Sequence, residues 1–189
     1  IVLLSEAWRW GLPADQVEAL TPNLEAALGW MRAQAAADDD GFLRYLRPGE
    51  RGLENQGWKD SSDGIQHRDG RLARPPIALV EVQAYAYEAA VRGAELLDRF
   101  GREGGEQWRT WAAALRARFR ERFWVEDALG RYPAIALDGD KQAVDAPASN
   151  MGHLLLSDFL DPDEQAAVAR RLADPSMASG WGLRTMGET

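Results

Sequence analysis

LENQGWKDSSDGIQHRDGRLARPPIALVEVQAYAYEAA, residues 53–90, is the stretch around which the rest of the chain is organised. It joins two segments rich in aromatic and carboxylate side chains across a turn bounded by glycine and proline. The first segment is NQGWKDSSD, residues 55–63, and the second, from Pro76 to Ala90, is predicted to be a helix. This helix is apolar almost all round, which is typical of a helix buried on most sides. The stretch therefore predicts a multi-helix assembly.

Helical patterns continue along the rest of the chain, and five or six helices are predicted in all. Asp161-Pro162-Asp163-Glu164 has the cap, the proline and the acid of a capping box, which predicts a helix to about Ala173. Apolar spacing predicts another helix over about Glu106–Trp124. No sustained β alternation is found, so the predicted class is all-α. The remaining predictions are a helix over residues 149–160 and loops over residues 129–144 and 179–185.

Composition limits the classes of partner. The 189 residues are 46% hydrophobic, which is enough for a folded domain with a sizeable core. A net charge of -8 argues against a nucleic acid or an anionic membrane as a partner and is compatible with a neutral sugar. The chain contains no cysteine, which excludes disulfides and a thiol nucleophile. No apolar run has the length of a membrane span, and a cytoplasmic location is expected.

The polar loops contain the side chains that sugar binding needs, namely flat apolar faces and planar hydrogen-bonding groups. The candidate faces are Trp58, Tyr85 and Trp181, and the candidate hydrogen-bonding groups are Asn55, Gln56, Gln83, Asn150 and Arg184. Glycoside hydrolysis needs, in addition, one carboxylic acid to protonate the leaving oxygen and a second carboxylate to attack or to activate water.

Asp60 is the candidate for the proton-donating acid, because it lies between Trp58 and two small serines and could reach into a cleft. Asp63 follows three residues later and, if the segment is helical, shares a face with Asp60. Neighbours on one helix cannot flank a scissile bond, so Asp63 is expected to raise the proton affinity of Asp60 or to bind a hydroxyl. The alternative is that both aspartates cap a loop by accepting from backbone N–H groups.

The two histidines do not form a recognisable metal or catalytic motif. His67 and His153 lack HExxH spacing, and no GxSxG elbow is present, so no metal, no cofactor and no serine triad are predicted. His67 is predicted to lie in a surface loop. His153 is predicted to make a structural hydrogen bond near the cleft.

Four motifs, in order, resemble the bacterial amylo-α-1,6-glucosidases, which are glycogen debranching enzyme-like glycoside hydrolases. They are residues 55–61, Ala73 with residues 76–85, residues 149–155 and residues 180–185, and together they span most of the chain. The resemblance implies an (α/α)6 toroid of the six-hairpin glycosidase type and inverting hydrolysis of α-glucosidic bonds, with Asp60 as the general acid. The predicted substrate-binding residues are Gln56, Trp58, Lys59, Asp63, Glu81, Gln83, Asn150, His153, Trp181 and Arg184.

The chain departs from this family in one respect, since a toroid needs about twelve helices and only half are predicted. Residues 1–189 are therefore expected to be one partial catalytic domain truncated at both ends, with the general base beyond Thr189. Two other readings stay open, a non-catalytic carbohydrate-binding helical module and a plain helical scaffold. Related toroids act on mannosylglycerate, mannosyl-oligosaccharides and sucrose, so the sugar is also open. A homo-oligomer is compatible with the sequence.

Overall fold

The computed structural model of the chain describes residues 1–47, 49 and 51–187. The predicted end of the domain at Thr189 lies outside this part. The chain divides into two compact units, of which unit 1 is Ile1–Phe42 with Tyr85–Arg118 and unit 2 is Leu43–Ala84 with Phe119–Thr189. The expectation of one partial catalytic domain stays a prediction.

The prediction of an all-α (α/α)6 toroid is wrong. The described residues are about 47% helical and 12% strand, and they contain two antiparallel sheets, so the class is mixed α/β. Each strand has only two to four residues, too few to leave an alternating pattern in the sequence. The strands are β1 Ala78–Leu79, β2 Trp124–Asp127, β3 Gly130–Pro133, β4 Ala136–Leu137 and β5 Ala143–Val144.

Unit 1 is helical. It contains α1 Val2–Arg9, α2 Ala14–Ala19 and α3 Thr21–Ala35, with most of α4 Val80–Arg99 and of α5 Gly105–Arg122. The buried side of α3 repeats at helical spacing through Leu24, Leu28, Met31 and Ala35. A Cβ placed at Gly93 of α4 would lie 3.0 Å from both Cδ atoms of Leu28, so α3 and α4 pack closely at that glycine.

Unit 2 contains the two sheets and residues 53–84 of the stretch around which the chain is organised. Its three-stranded sheet has the order β1-β4-β5, and β2 pairs with β3 in a hairpin. A 3₁₀ helix, Ser149–Leu156, precedes α6 Pro162–Ala173. The core that supports the site joins strand residues to residues of the neighbouring loops. Its members are Ile65, Ile77, Leu79, Ile135, Ala136, Val144 and Ala148.

Several local predictions can be compared with these bounds. The capping box of α6 is confirmed, because the Asp161 side chain accepts from the Glu164 backbone and the Glu164 side chain accepts from the Asp161 backbone. The helix expected from Pro76 begins later, at Val80, because residues 78–79 form β1. The loop expected over residues 129–144 contains β3, β4 and β5. Within the described ranges, no helix combines the length and the apolarity needed to cross a membrane.

The surface position predicted for His67 is wrong, since the residue is only 5% exposed. Its imidazole lies between two carboxylates, with Nε2 3.7 Å from Asp138 Oδ2 and Nδ1 3.7 Å from Asp145 Oδ1. A backbone hydrogen bond from His67 N to Arg71 O turns the chain back here. The polar residues around His67 in the sequence predicted a surface loop, whereas its side chain is buried.

Candidate functional site

A cavity of about 310 Å³ in unit 2 contains the predicted acid. Two stretches of chain line it, residues 58–66 and residues 185–186. The Lys59 ammonium ties these stretches together by donating to the backbone oxygen of Thr185. The lining residues are Trp58, Lys59, Asp60, Ser61, Asp63, Gly64, Gln66, Thr185 and Met186.

Both carboxylates of this cavity come from a single turn. Asp60 and Asp63 are exposed side chains, and the backbone N–H of Gly64 donates to the oxygen of Ser61 at 2.9 Å to close the turn. The segment is not helical, so the shared helical face expected for the two aspartates is not formed. Solvated carboxylates so placed can accept hydrogen bonds from the hydroxyls of a neutral ligand.

Trp58 supplies the aromatic face of the cavity. Its indole is 51% exposed, and its ring centroid lies 6.1 Å from that of His153 with the planes tilted by 48°. Lys59 Nζ lies 5.6 Å from the same indole ring. A half-exposed indole combines a large apolar face with a fixed position, which suits the stacking of a sugar ring.

Lys59, which lines the cavity, also belongs to a buried polar cluster with Glu81 and Asn150; the three residues are 8%, 2% and 0% exposed. Asn150 Nδ2 donates to Glu81 Oε1 at 2.8 Å. Burial lowers the pKa of Lys59 to about 8 against the attraction of Glu81. Burial likewise raises the pKa of Glu81, although the hydrogen bond from Asn150, the backbone N–H of Glu81 itself and the charge of Lys59 act in the opposite direction. The cluster therefore keeps proton-exchanging groups out of water.

Tyr45 and Asn55 hold the aspartate turn against the core of unit 2. The Tyr45 hydroxyl donates to Asn55 Oδ1 at 2.8 Å, and Asn55 Nδ2 donates to the Ser61 oxygen at 2.6 Å. Tyr45 is itself fixed by a pair of 3.0 Å backbone hydrogen bonds with Ile77. Sequence reasoning did not assign Tyr45 to the site. The available signal was a tyrosine among apolar residues, whose hydroxyl needs a partner when it is buried.

Other predicted binding residues do not line this cavity. Gln83 is fully buried, and its amide accepts from Leu43 N at 3.0 Å and donates to the oxygens of Leu43 and Leu79, each at 2.9 Å. Trp181 is fully exposed, and Arg184 Nη1 donates to the Pro175 oxygen at 3.1 Å. Their roles as ligand contacts stay predictions. The same holds for Gln56, which is exposed, and for Tyr85, which belongs to unit 1.

Neither a family model nor a curated protein matches the chain. In the part of the chain that the structure describes, no group of three or more histidine, cysteine, aspartate or glutamate residues is arranged to hold a metal ion. What the cavity offers is an indole face, two exposed carboxylates and a buried ammonium group, a set that fits a neutral ligand rich in hydroxyls.

Proposed function

We propose that this protein hydrolyses α-glucosidic bonds in oligo- or polysaccharides by an inverting acid/base mechanism, in the cytoplasm. The observation that carries the proposal is that Asp60 and the half-exposed indole of Trp58 line the same cavity of about 310 Å³. A sugar ring stacked on the indole would bring its glycosidic oxygen within reach of an adjacent carboxyl group. The motif resemblance of residues 55–61 supports the choice of an α-glucosidic substrate.

Asp60 acts as the general acid in this proposal. Its carboxyl proton passes to the glycosidic oxygen as the bond from that oxygen to the anomeric carbon breaks. A water molecule attacks the opposite face of the sugar ring and gives up its proton to a second carboxylate, so that both products are neutral alcohols. Asp63 cannot serve as this base, because it stands on the same turn as Asp60.

The test is glucose release by the full-length protein from a panel of α-1,6- and α-1,4-linked glucosides. We expect Asp60→Asn to reduce release by about 10²- to 10⁴-fold, the usual contribution of a general acid. Asp163→Asn is the matched control, since Asp163 is an exposed aspartate in the first turn of α6 and does not line the cavity. Equal loss in both variants, or no release by the unmutated protein, would refute the assignment.

One observation favours a second candidate, a carbohydrate-binding module without catalysis. The two carboxylates that line the cavity, Asp60 and Asp63, are neighbours on one turn and cannot flank a scissile bond. Binding of glucosides without turnover by the full-length protein would support this candidate. Mannosylglycerate and mannosyl-oligosaccharides belong in the same panel, because the resemblance extends to hydrolases of those sugars.

A further inference from the structure

The side chains of Glu81 and Asn150 are joined by one hydrogen bond, and each has one further oxygen without a hydrogen-bond partner among the described residues. Asn150 Nδ2 donates to Glu81 Oε1 at 2.8 Å, and both side chains are almost fully buried. Glu81 Oε2 and Asn150 Oδ1 are also buried, and neither has a hydrogen-bond partner in the described part of the chain. Both atoms accept hydrogen bonds when Glu81 is ionised, so an ionised Glu81 would leave two buried acceptors without a donor.

A proton on Glu81 Oε2 would turn that oxygen into a donor and would supply a partner for Asn150 Oδ1. The protonated oxygen becomes an O–H donor, and Asn150 Oδ1 belongs to the residue already bonded to the other carboxyl oxygen. Reversing the Asn150 amide would not help, because it only exchanges the one donor for the one acceptor. A buried carboxylate is also more costly than a neutral acid in the same place, and the attraction of the Lys59 ammonium offsets only part of that cost.

The charged and titratable groups around Glu81 do not supply the missing donor. Lys59 attracts the carboxylate, but its ammonium donates to the Thr185 oxygen. The Tyr45 hydroxyl is engaged with Asn55. On the side of the Gly57 segment the backbone approaches closely, since a Cβ placed at Gly57 would lie 3.7 Å from Glu81 Oε1 and 2.3 Å from Leu79 Cδ1. This close packing keeps the carboxyl away from bulk water.

We propose that Glu81 carries a proton on Oε2 and, as a neutral acid, is a positioning residue that holds Asn150 and the wall of the cavity in place. The 3₁₀ helix Ser149–Leu156, which contains Asn150, connects Glu81 to the wall of the cavity. Ser149, beside Asn150, donates from its backbone to the Thr185 oxygen at 3.1 Å, and His153 of the same helix packs against Trp58. The part of this inference that concerns ligand binding rests on the proposed function.

Because Glu81 holds its proton more tightly in the folded protein, the stability of the folded state is expected to fall as pH rises. The pKa of Glu81 in the folded protein lies above its ordinary value of 4.5. As pH rises from there towards the folded pKa, the unfolded chain loses this proton while the folded chain keeps it, so the folded state loses stability. Below pH 4.5 both states hold the proton and the full stability is present. Glu81→Gln removes this pH dependence and keeps a side chain of the same shape.

The direct test is the infrared carbonyl stretch of a protonated carboxylic acid, recorded for the unmutated protein and for Glu81→Gln at a series of pH values above 4.5. We expect a band that disappears in Glu81→Gln and shifts in Asn150→Ala. Absence of the band from the unmutated protein would mean that Glu81 is ionised, and the inference would be wrong. This readout needs no sugar, so it stands whether or not the proposed hydrolysis is found.

Two variants of similar volume separate a proton role from simple packing. Glu81→Gln places an N–H donor where the acid O–H would lie, so we expect an unchanged melting temperature at neutral pH. Glu81→Met supplies neither a donor nor an acceptor to Asn150, and we expect its melting temperature to fall by about 5 °C. Equal loss in the two variants would overturn the assignment of the proton.

The pH dependence of sugar binding tests whether Glu81 is a positioning residue. We expect maltose affinity of the unmutated protein to fall as pH rises through the folded pKa of Glu81, and affinity of Glu81→Gln to stay level over the same range. An identical pH profile in both proteins would refute the positioning role. Absence of binding at every pH would sink the proposed function, while the infrared result would still decide the protonation of Glu81.

Discussion

At the scale of single residues, the Lys59 ammonium loses most of its hydration on burial and gains a hydrogen bond that connects two stretches of the site. Its side chain is only 8% exposed, and its ammonium fastens the Trp58–Asp60 segment to Thr185. Burial lowers its pKa from 10.5 to about 8, which corresponds to a destabilisation on the order of 3 kcal/mol while the group is charged. The hydrogen bond to the Thr185 oxygen offsets part of that cost.

Replacing Lys59 should therefore change how stability depends on pH. Between about pH 8 and 10.5 the unfolded chain binds the lysine proton and the folded chain does not, so the unmutated protein gains stability as pH rises. We expect Lys59→Met to lose that gain. The measurement is the urea unfolding free energy of both proteins across this pH range, where their difference should change by roughly 3 kcal/mol.

Lys59→Arg is the control for this experiment. An arginine stays charged throughout the range and keeps a donor for Thr185, so it removes the titration without removing the hydrogen bond. Its unfolding free energy should be as flat with pH as that of Lys59→Met. If the unmutated protein and both variants show the same pH profile, Lys59 titrates normally and the buried cluster does not exist in solution.

Residue types and motif spacing predicted part of the site. The four predicted residues that line the cavity, Trp58, Lys59, Asp60 and Asp63, stand close together in the sequence. Tyr45 and Thr185 were not assigned, because each reaches the site through contacts with residues distant in the sequence. For Gln83 the predicted ligand contact stays a prediction, since the same amide that suits a sugar hydroxyl also hydrogen-bonds the Leu43 backbone.

At the scale of elements, prediction succeeded where the information is local. The capping box of α6 needs only Asp161 and Glu164, three residues apart, and it is formed as expected. The sheet β1-β4-β5 pairs Ala78 with Leu137, residues far apart along the chain, and strands of two residues carry no periodic signal. The hairpin β2–β3 was missed because its strands, WVED and GRYP, do not alternate between apolar and polar residues.

The helices of unit 1 allow a matched test of packing with two glycines. Gly29 lies in α3 with nothing within 4 Å of an added Cβ, whereas a Cβ at Gly93 of α4 would meet Leu28 at 3.0 Å. We expect Gly29→Ala to stabilise the protein by about 1 kcal/mol, the helix propensity difference. Gly93→Ala should gain less or lose stability, because Leu28 must move.

Urea unfolding at constant pH measures both changes. The comparison is internal, since each substitution adds one methyl group to a helix interior and leaves the charge unaltered. A gain in Gly93→Ala as large as that in Gly29→Ala would show that α3 and α4 are not tightly packed at Leu28. A loss in Gly29→Ala would contradict the open surroundings of that position.

At the scale of the whole molecule, net charge restricts the ligand more than any one contact does. The chain has a formal net charge of -8, and its candidate cavity presents the Asp63 carboxylate to solvent. A negative field of this kind lowers the local concentration of anions and leaves a neutral sugar unaffected. The molecule should therefore discriminate between sugars that differ only by a phosphate.

Thermal unfolding of the whole protein measures this discrimination. A neutral α-glucoside at 100 times its dissociation constant stabilises the folded state by about 2.7 kcal/mol, which raises the melting temperature by roughly 5 to 10 °C. We expect that shift with maltose and a smaller one with phosphorylated maltose at equal concentration. Asp60→Asn should keep the maltose shift, because the variant loses a proton donor and not the indole face. Trp58→Ala should lose it. A larger shift with the phosphorylated sugar would contradict a neutral ligand, and a full maltose shift in Trp58→Ala would place sugar binding outside this cavity.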